Sequence, residues 1–331
     1  MGAQRDMPPV EDPFAGPAAE VRQALVRRIA ATGVLDDPAW RAAFGEVPRH
    51  LFVPYYFVST FAGYERLWSG DPDPVRRERW LRGAYADGPL ATRVRDGELV
   101  SSSSQPSLMA RMLDELEIGD GHRVLEIGAG TGYNAALLSH RLGEELVTTV
   151  ELDPEITDSA RAHLAAAGYH PTVISGDGAR GCPQRAPFDR IIVTCALPSV
   201  PQAWLRQCRP GAGILAPLAG GLVVLRVGDA DHAEGNFLHT PAYFVPLRGG
   251  RPAVRPPVPH SAGLPRRTAD SELFGFLLAL TAGSLDPHEA LSLWQRERRP
   301  ERERFGVTVG DGHQWAWLDD PEGPYAWPLR A

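Results

Sequence analysis

Lysine is absent from this sequence, so every permanently charged basic side chain is an arginine. A chain without lysine cannot form a Schiff base with a carbonyl substrate, and it lacks the lysine with which a P-loop grips phosphate. Cysteine is also scarce, because the chain contains only Cys182, Cys195 and Cys208, without a Cys-x-x-Cys spacing. These cysteines predict neither a disulfide framework nor a zinc site, and we expect no metal.

Basic charge is in deficit, since the formal net charge is −7 at pH 7. That balance disfavours nucleic acids and anionic membranes as partners, and no apolar run reaches the length of a membrane span. The N-terminus carries no signal-peptide core or myristoylation pattern. We therefore expect a cytoplasmic protein that acts on a peptide, a protein or a small molecule.

One stretch has a recognisable pattern: residues 124–133 read Val-Leu-Glu-Ile-Gly-Ala-Gly-Thr-Gly-Tyr. It predicts a buried strand, a sharp turn at Gly128, Gly130 and Gly132, and a helix from Tyr133 to Leu142. A dinucleotide fingerprint requires its third glycine where Tyr133 stands, so a nicotinamide oxidoreductase is disfavoured.

Acidic residues follow the predicted strands. Glu126 precedes the glycine turn, Glu151 follows a strand at 147–150, and Asp177 lies between glycines after a strand that ends near Ser175. Each feature alone is compatible with packing or helix capping. Together they place three acids at the carboxyl edge of one parallel sheet, where a nucleoside-like ligand binds.

A run of four serines, residues 101–104, precedes a predicted helix that has Pro106 in its first turn and extends to Leu116. Such a run is common in linkers and caps. Its position just before the glycine-loop strand instead suggests hydroxyls and free backbone N–H groups that hold a carboxylate at a positive helix end.

The pattern along the chain predicts an α/β fold with a mostly parallel Rossmann-like sheet and antiparallel strands at one end. We expect disorder in residues 1–19, a catalytic domain at 20–250 that opens with two helices, a Pro-rich linker at 251–265 and a small α+β extension at 266–331. Residues 55–97 read as an irregular cover or a peptide-contacting lid. Further strands are expected at 188–194, 213–218, 222–227 and 241–246. The aromatic residues of the extension form either a satellite core or a peptide-docking module.

These motifs resemble the protein-L-isoaspartate O-methyltransferase family: Val47-Pro48-Arg49, Ser104-Gln105-Pro106, the glycine stretch, and 244–247 (Phe-Val-Pro-Leu). The resemblance implies S-adenosylmethionine as cofactor and Ser104 as the catalytic serine between the cofactor and the substrate carboxylate. The cofactor-binding residues it implies are Ser102, Ser103, Glu126, Gly128, Gly130, Gly132, Glu151, Leu152, Asp177 and Gly178. The substrate-contacting residues are Ser104, Gln105, Ser107 and Thr194.

Two departures suggest a specialised substrate. Ser107 and Leu108 stand where the repair enzymes usually carry His or Tyr and then a branched residue or Met, and the extension looks like that of methyltransferases that accompany ATP-grasp ligases in making graspetides. We therefore expect methylation of an ordinary Asp in a macrocyclic ribosomal peptide, followed by collapse to an aspartimide. The alternatives are repair of isoaspartate in damaged proteins and a non-catalytic cofactor-binding or peptide-scaffolding role.

Overall fold

The computed structural model describes residues 12–61, 63–249 and 264–329. The described chain begins with helices α1 (Ala15–Ala30), α2 (Pro38–Glu46) and α3 (Arg49–Phe52). Helix α2 begins as predicted, because the Asp37 carboxylate accepts the N–H of Ala39 at 2.7 Å and Pro38 occupies the first helical position. The expected disorder is wrong for residues 15–19, since Ala18 is fully buried in the core. Residues 1–11 lie outside the described residues.

A second sheet occupies the region that the sequence pattern left irregular. It contains β1 (Tyr55–Thr60), β2 (Gly63–Trp68), β3 (Leu90–Arg95) and β4 (Glu98–Ser103), in the order β2-β1-β3-β4, with helix α4 (Pro74–Ala84) between β2 and β3. The sequence does contain a hairpin turn signal here, the Asp96-Gly97 pair. Both residues have positive φ in the turn between β3 and β4. The serine run also lies largely in a strand, since β4 includes Ser101 to Ser103.

The main sheet has ten strands among the described residues, in the order β14-β13-β12-β11-β10-β9-β8-β5-β6-β7. Strands β5 to β9 pair in parallel and the others antiparallel, so the α/β prediction is confirmed with a larger antiparallel part than expected. Helix α5 (Pro106–Glu115) precedes this sheet in the chain. The strands up to β11 and the helices between them follow in this order: β5 (Val124–Ile127), α6 (Tyr133–Leu142), β6 (Val147–Glu151), α7 (Pro154–Ala166), β7 (Thr172–Ser175), β8 (Phe188–Val193), α8 (Gln202–Leu205), β9 (Cys208–Leu218), β10 (Gly221–Val227) and β11 (Ala233–Pro241).

The C-terminal extension belongs to this same sheet. Its elements are α9 (Arg266–Ala269), α10 (Glu272–Leu280), α11 (Pro287–Arg296), β12 (Phe305–Gly310), β13 (His313–Leu318) and β14 (Ala326–Pro328). Strand β12 pairs antiparallel with β11, and the rings of Phe237, Phe276 and Phe305 pack edge to face across the junction. Trp294, Trp317 and Trp327 are buried. These tryptophans therefore belong to the protein core, and neither a satellite core nor an aromatic docking surface describes them.

The strand expected at 241–246 is wrong, because β11 ends at Pro241 and the chain then turns toward the carboxyl end of β8. The predicted linker at 251–265 falls almost entirely on residues 250–263, which lie outside the described residues. No helix in the described part of the chain has the length and apolar character that a membrane crossing requires.

Candidate active site

A cavity with an empty volume of about 800 Å³ opens at the carboxyl ends of β5, β6 and β8. The end of β4 forms one wall, and residues 245–248 form another. That second wall is held by backbone bonds, since the N–H of Ala196 donates to the Val245 carbonyl and the N–H of Leu247 donates to the Ala196 carbonyl, both at 2.9 Å. The cavity therefore lies at the sheet edge that the acidic residues predicted.

Most of the predicted site residues meet at this cavity. Those that line it are Ser102, Ser103, Ser104, Glu126, Gly128, Gly130, Glu151, Leu152, Gly178 and Thr194. Four predicted residues lie outside its wall: Gln105, Ser107, Gly132 and Asp177. Each of these four contacts neighbouring protein atoms instead, as described below.

The glycine loop brings bare backbone to the cavity. Gly128 has a φ of +95°, and a Cβ there would lie 2.7 Å from the Thr194 hydroxyl oxygen. Gly130 has a φ of +53° and lies against the carbonyl of Ser102. Gly132 serves packing, because its Cβ would lie 3.2 Å from the Ala160 carbonyl on α7. The Thr194 hydroxyl donates to the Gly128 carbonyl at 2.7 Å, so it braces the loop.

The Glu151 carboxylate is held at the end of β6 by backbone donors. One oxygen accepts the N–H of Gly130 at 3.2 Å, and the other accepts those of Leu152 at 3.0 Å and Asp153 at 3.2 Å. Asp177, in contrast, caps a short turn by accepting the N–H of Ala179 at 3.0 Å. Only Glu151 of these two acids therefore presents its carboxylate at the cavity wall.

Glu126 forms part of the cavity floor and is fully buried. Asn134 donates to one of its oxygens at 2.8 Å, while the other oxygen has no hydrogen-bond partner in the described part of the chain. Burial disfavours the charged form and raises the pKa of Glu126 to about 7. The buried hydroxyl of Thr149 is the donor that acts on this carboxyl besides Asn134, and both partly offset the effect of burial on its pKa.

Strand alternation divides the serine run into two pairs. Ser101 and Ser103 are buried and contact protein, since Thr92 donates to the Ser101 hydroxyl at 3.2 Å and Arg49 donates to the Ser103 hydroxyl at 3.3 Å. Ser102 and Ser104 are partly exposed, and their hydroxyls bond to no other described residue. The second pair therefore has hydroxyls available to a ligand.

The start of helix α5 differs from the expected carboxylate site. The N–H of Ser107 donates to the Asp87 carboxylate at 2.9 Å, and the Gln105 side chain donates to the Ser107 hydroxyl at 2.9 Å. A protein acid therefore occupies the positive helix end that was expected to hold the ligand carboxylate.

Sequence reasoning missed several cavity residues. Tyr133 and Asn134 begin α6, Met109 comes from α5, and Arg248 lies 3.5 Å from the Glu151 carboxylate. The Phe-Val-Pro-Leu motif had marked the neighbourhood of Arg248, but a lone arginine near a Pro-rich stretch carries no local signal. Cys195 also lines the cavity, and burial raises the pKa of its thiol, so a thiolate nucleophile is disfavoured there.

Residues 73–251 match the family model for protein-L-isoaspartate(D-aspartate) O-methyltransferase. That match covers more than half of the chain. The chain belongs to this family. A protein-L-isoaspartate O-methyltransferase from Hyperthermus butylicus is 34% identical over 245 residues, which are 70% of this chain and 89% of that protein.

Two solved structures support the same fold. One, described as a protein-L-isoaspartate O-methyltransferase, has a TM-score of 0.61 at 24% identity and aligns with 93% of this chain and 98% of its own. The other, from Plasmodium falciparum, is described as such an enzyme in complex with S-adenosyl-L-homocysteine; its TM-score is 0.52 at 14% identity, with 69% and 99% covered. As a member of this family, the chain is an S-adenosylmethionine-dependent protein carboxyl O-methyltransferase.

The first of these structures also covers the C-terminal extension. Coverage of 93% of this chain has to include most of residues 266–331. The extension therefore has a structural counterpart in another protein of this fold.

The cavity also suits the cofactor by its own chemistry. Gly128 and Gly130 bring bare backbone to the cavity wall, and Glu151 offers acceptors of the kind that ribose hydroxyls need. Glu126 adds a second carboxyl at the cavity floor, an acceptor of the kind that an ammonium donor needs. S-adenosylmethionine carries all of these groups, and its binding requires no phosphate site.

Proposed function

We propose that this chain methylates the free carboxylate of isoaspartyl residues in damaged proteins. The observation that carries the proposal is the similarity over 70% of the chain to a relative named for that reaction. The partly exposed hydroxyls of Ser102 and Ser104 beside the glycine loop support it, because they can donate to a carboxylate.

The nucleophile in such a reaction needs no general base. A free carboxylate has a pKa of roughly 4 and is already ionised at neutral pH. Bound S-adenosylmethionine supplies an electrophilic methyl group on a sulfonium leaving group. The protein's task is to hold the carboxylate in line with that group and to exclude water, and such positioning can lower a barrier by roughly 7 to 11 kcal/mol.

We infer the following division of work among the residues at the cavity. Glu151 accepts the ribose hydroxyls, Leu152 and Gly178 flank the adenine, and Gly128 and Gly130 admit the chain of the cofactor. Ser102 and Ser103 border its methionine end, and Ser104 lies between it and the substrate carboxylate. Gln105 and Ser107 are left out because their side chains bond to each other and the N–H of Ser107 donates to the Asp87 carboxylate.

The proposal is tested with an isoaspartyl peptide and its aspartyl twin, incubated separately with methyl-labelled cofactor. We expect methyl ester on the isoaspartyl peptide and none above background on the twin. A reaction without enzyme gives the background.

The competing hypothesis is methylation of Asp in a macrocyclic peptide, which the sequence departures at Ser107 and Leu108 suggested. It predicts that the isoaspartyl peptide is inert and that a constrained aspartyl peptide is methylated. That pattern would contradict repair without changing the assignment of the cofactor.

A further inference from the structure

Arg49 lies directly behind the serine wall of the cavity, which we define as Ser102 to Ser104. Its guanidinium is fully buried and never reaches the cavity itself. One terminal nitrogen donates to the Ser103 hydroxyl at 3.3 Å and to the Ser104 carbonyl at 3.0 Å. The other donates to the Ala84 carbonyl at 2.6 Å. Arg49 is therefore hydrogen-bonded directly to two residues of the wall.

The charge of Arg49 lacks a direct counter-ion. Its acceptors in the described part of the chain are carbonyls and a hydroxyl, and no described carboxylate forms an ion pair with it. Asp87 is the acid that influences it at longer range, and that carboxylate already accepts the N–H of Ser107. A guanidinium remains charged at neutral pH even where burial lowers its pKa, as it does here.

A buried charge without a paired acid is costly, and the carbonyl acceptors and the Tyr133 ring, whose centroid lies 5.7 Å from the guanidinium carbon, offset only part of that cost. An anion bound in the adjacent cavity would offset more of it. The electric field of Arg49 reaches the cavity through a poorly screened interior. On the opposite side of the cavity the charge has the opposite sign, since the Glu151 carboxylate lies there. The cavity therefore has a cationic side at the serine wall and an anionic side at the sheet.

We propose that Arg49 is a positioning residue that makes the serine wall positive, so that this wall holds a carboxylate. Its bond to Ser103 uses that hydroxyl as an acceptor and leaves the hydroxyl proton free to donate elsewhere. Its bond to the Ser104 carbonyl holds the backbone of the wall in place. The carboxylate belongs either to the methionine part of the cofactor or to the substrate, and the experiment distinguishes the two. This inference rests on cofactor use and not on the proposed substrate.

The first arm measures binding of S-adenosyl-L-homocysteine and of its decarboxylated analogue by calorimetry. If the wall holds the cofactor carboxylate, Arg49→Met lowers the preference for the carboxylated ligand at least about tenfold, the scale of a charge interaction at an effective dielectric near 20. Arg49→Lys keeps the charge and retains most of the preference. The second arm measures KM for the peptide that the enzyme methylates. If Arg49→Met raises this KM at least about tenfold and leaves the ligand preference unchanged, the wall holds the substrate carboxylate.

A purely structural role for Arg49 predicts a different result. The binding of both ligands would then weaken by the same factor, the Arg49→Lys and Arg49→Met variants would behave alike, and the KM for the peptide would not change. Any such parallel loss overturns the proposal.

Two further variants keep the test decisive if Arg49→Met does not fold. Ser103→Asp places a carboxylate against the guanidinium, so it should remove the preference while Arg49 remains. Arg302→Met is the control, because Arg302 in the extension is another buried guanidinium, bonded to Glu272 and to the His239 carbonyl of β11. We expect it to reduce stability and to leave the ligand preference unchanged.

Discussion

The hydroxyl of Ser104 is the smallest feature on which the proposed chemistry depends. It is partly exposed at the cavity and bonds to no other described residue, unlike the buried hydroxyl of Ser103. Ser104→Ala should lower kcat/KM by about 10- to 100-fold, since a hydrogen bond to a charged group contributes roughly 1.5 to 3 kcal/mol. Initial rates measure this. The control is Ser139→Ala, whose hydroxyl bonds within helix α6 to the Ala135 carbonyl; an equal loss in that variant would contradict the assignment.

Glu126 gives a prediction about stability and pH. Its pKa in the folded state is raised to about 7 from an ordinary value of 4.5, so between these values the folded state holds a proton that the unfolded state has lost. Stability from this group therefore falls as pH rises from about 4.5 to 7, by about 3 kcal/mol in total. Glu126→Gln should remove that loss. Urea unfolding at pH 5 and pH 8 tests it, and a stability difference between wild type and variant that is the same at both values would contradict it.

At the scale of elements, two effects of replacing a glycine in the loop between β5 and α6 can be measured separately. One is backbone strain, and the other is the change in shape beside the bound ligand. Gly128→Ala introduces a Cβ 2.7 Å from the Thr194 hydroxyl at a φ of +95°. Gly168→Ala, in the turn after α7, meets a similar φ of +81° with nothing within 4 Å. We expect both to lose about 1 to 2 kcal/mol of stability through left-handed strain. Only Gly128→Ala should weaken the binding of S-adenosyl-L-homocysteine, which calorimetry measures. Equal weakening in both variants would show that backbone strain alone causes the loss of binding, and it would contradict the prediction.

Elements differ in how far local sequence predicted them. Helix α6 begins at Tyr133 and ends at Leu142 as expected, because the preceding glycine turn and the apolar spacing are local signals. The hairpin of β1 and β2 was missed, since its pairing buries Tyr56 and Leu67 against distant residues. The serines precede helix α5 as expected, but the pairing with β3 also makes Ser101 to Ser103 a strand, which the local sequence did not predict. Tertiary pairing outweighed local preference at both places.

For the whole molecule, the extension should be required for folding. Strand β12 covers the edge of β11, and Phe305 packs against Phe276 in the same core as Phe237. A chain that ends at residue 249 would expose both the edge of β11 and the ring of Phe237, so we expect it to be insoluble. A chain that ends at residue 319 loses β14 but keeps β12 and β13, and it should remain soluble and bind S-adenosyl-L-homocysteine. Soluble yield and the ligand-induced shift in Tm measure both; a stable, ligand-binding 1–249 chain would contradict the prediction.

The sequence by itself determined the strand, glycine turn and helix of residues 124–142 and the position of Glu151 at the end of β6. These features depend on residues close together in the chain, and their order requires the carboxyl ends of parallel strands to meet. Only the tertiary structure decided that Arg49 lies behind Ser103, that Asp87 occupies the start of α5, and that β12 extends the catalytic sheet. Each of these joins segments far apart in the chain, where burial and strand pairing, rather than local pattern, select the partner.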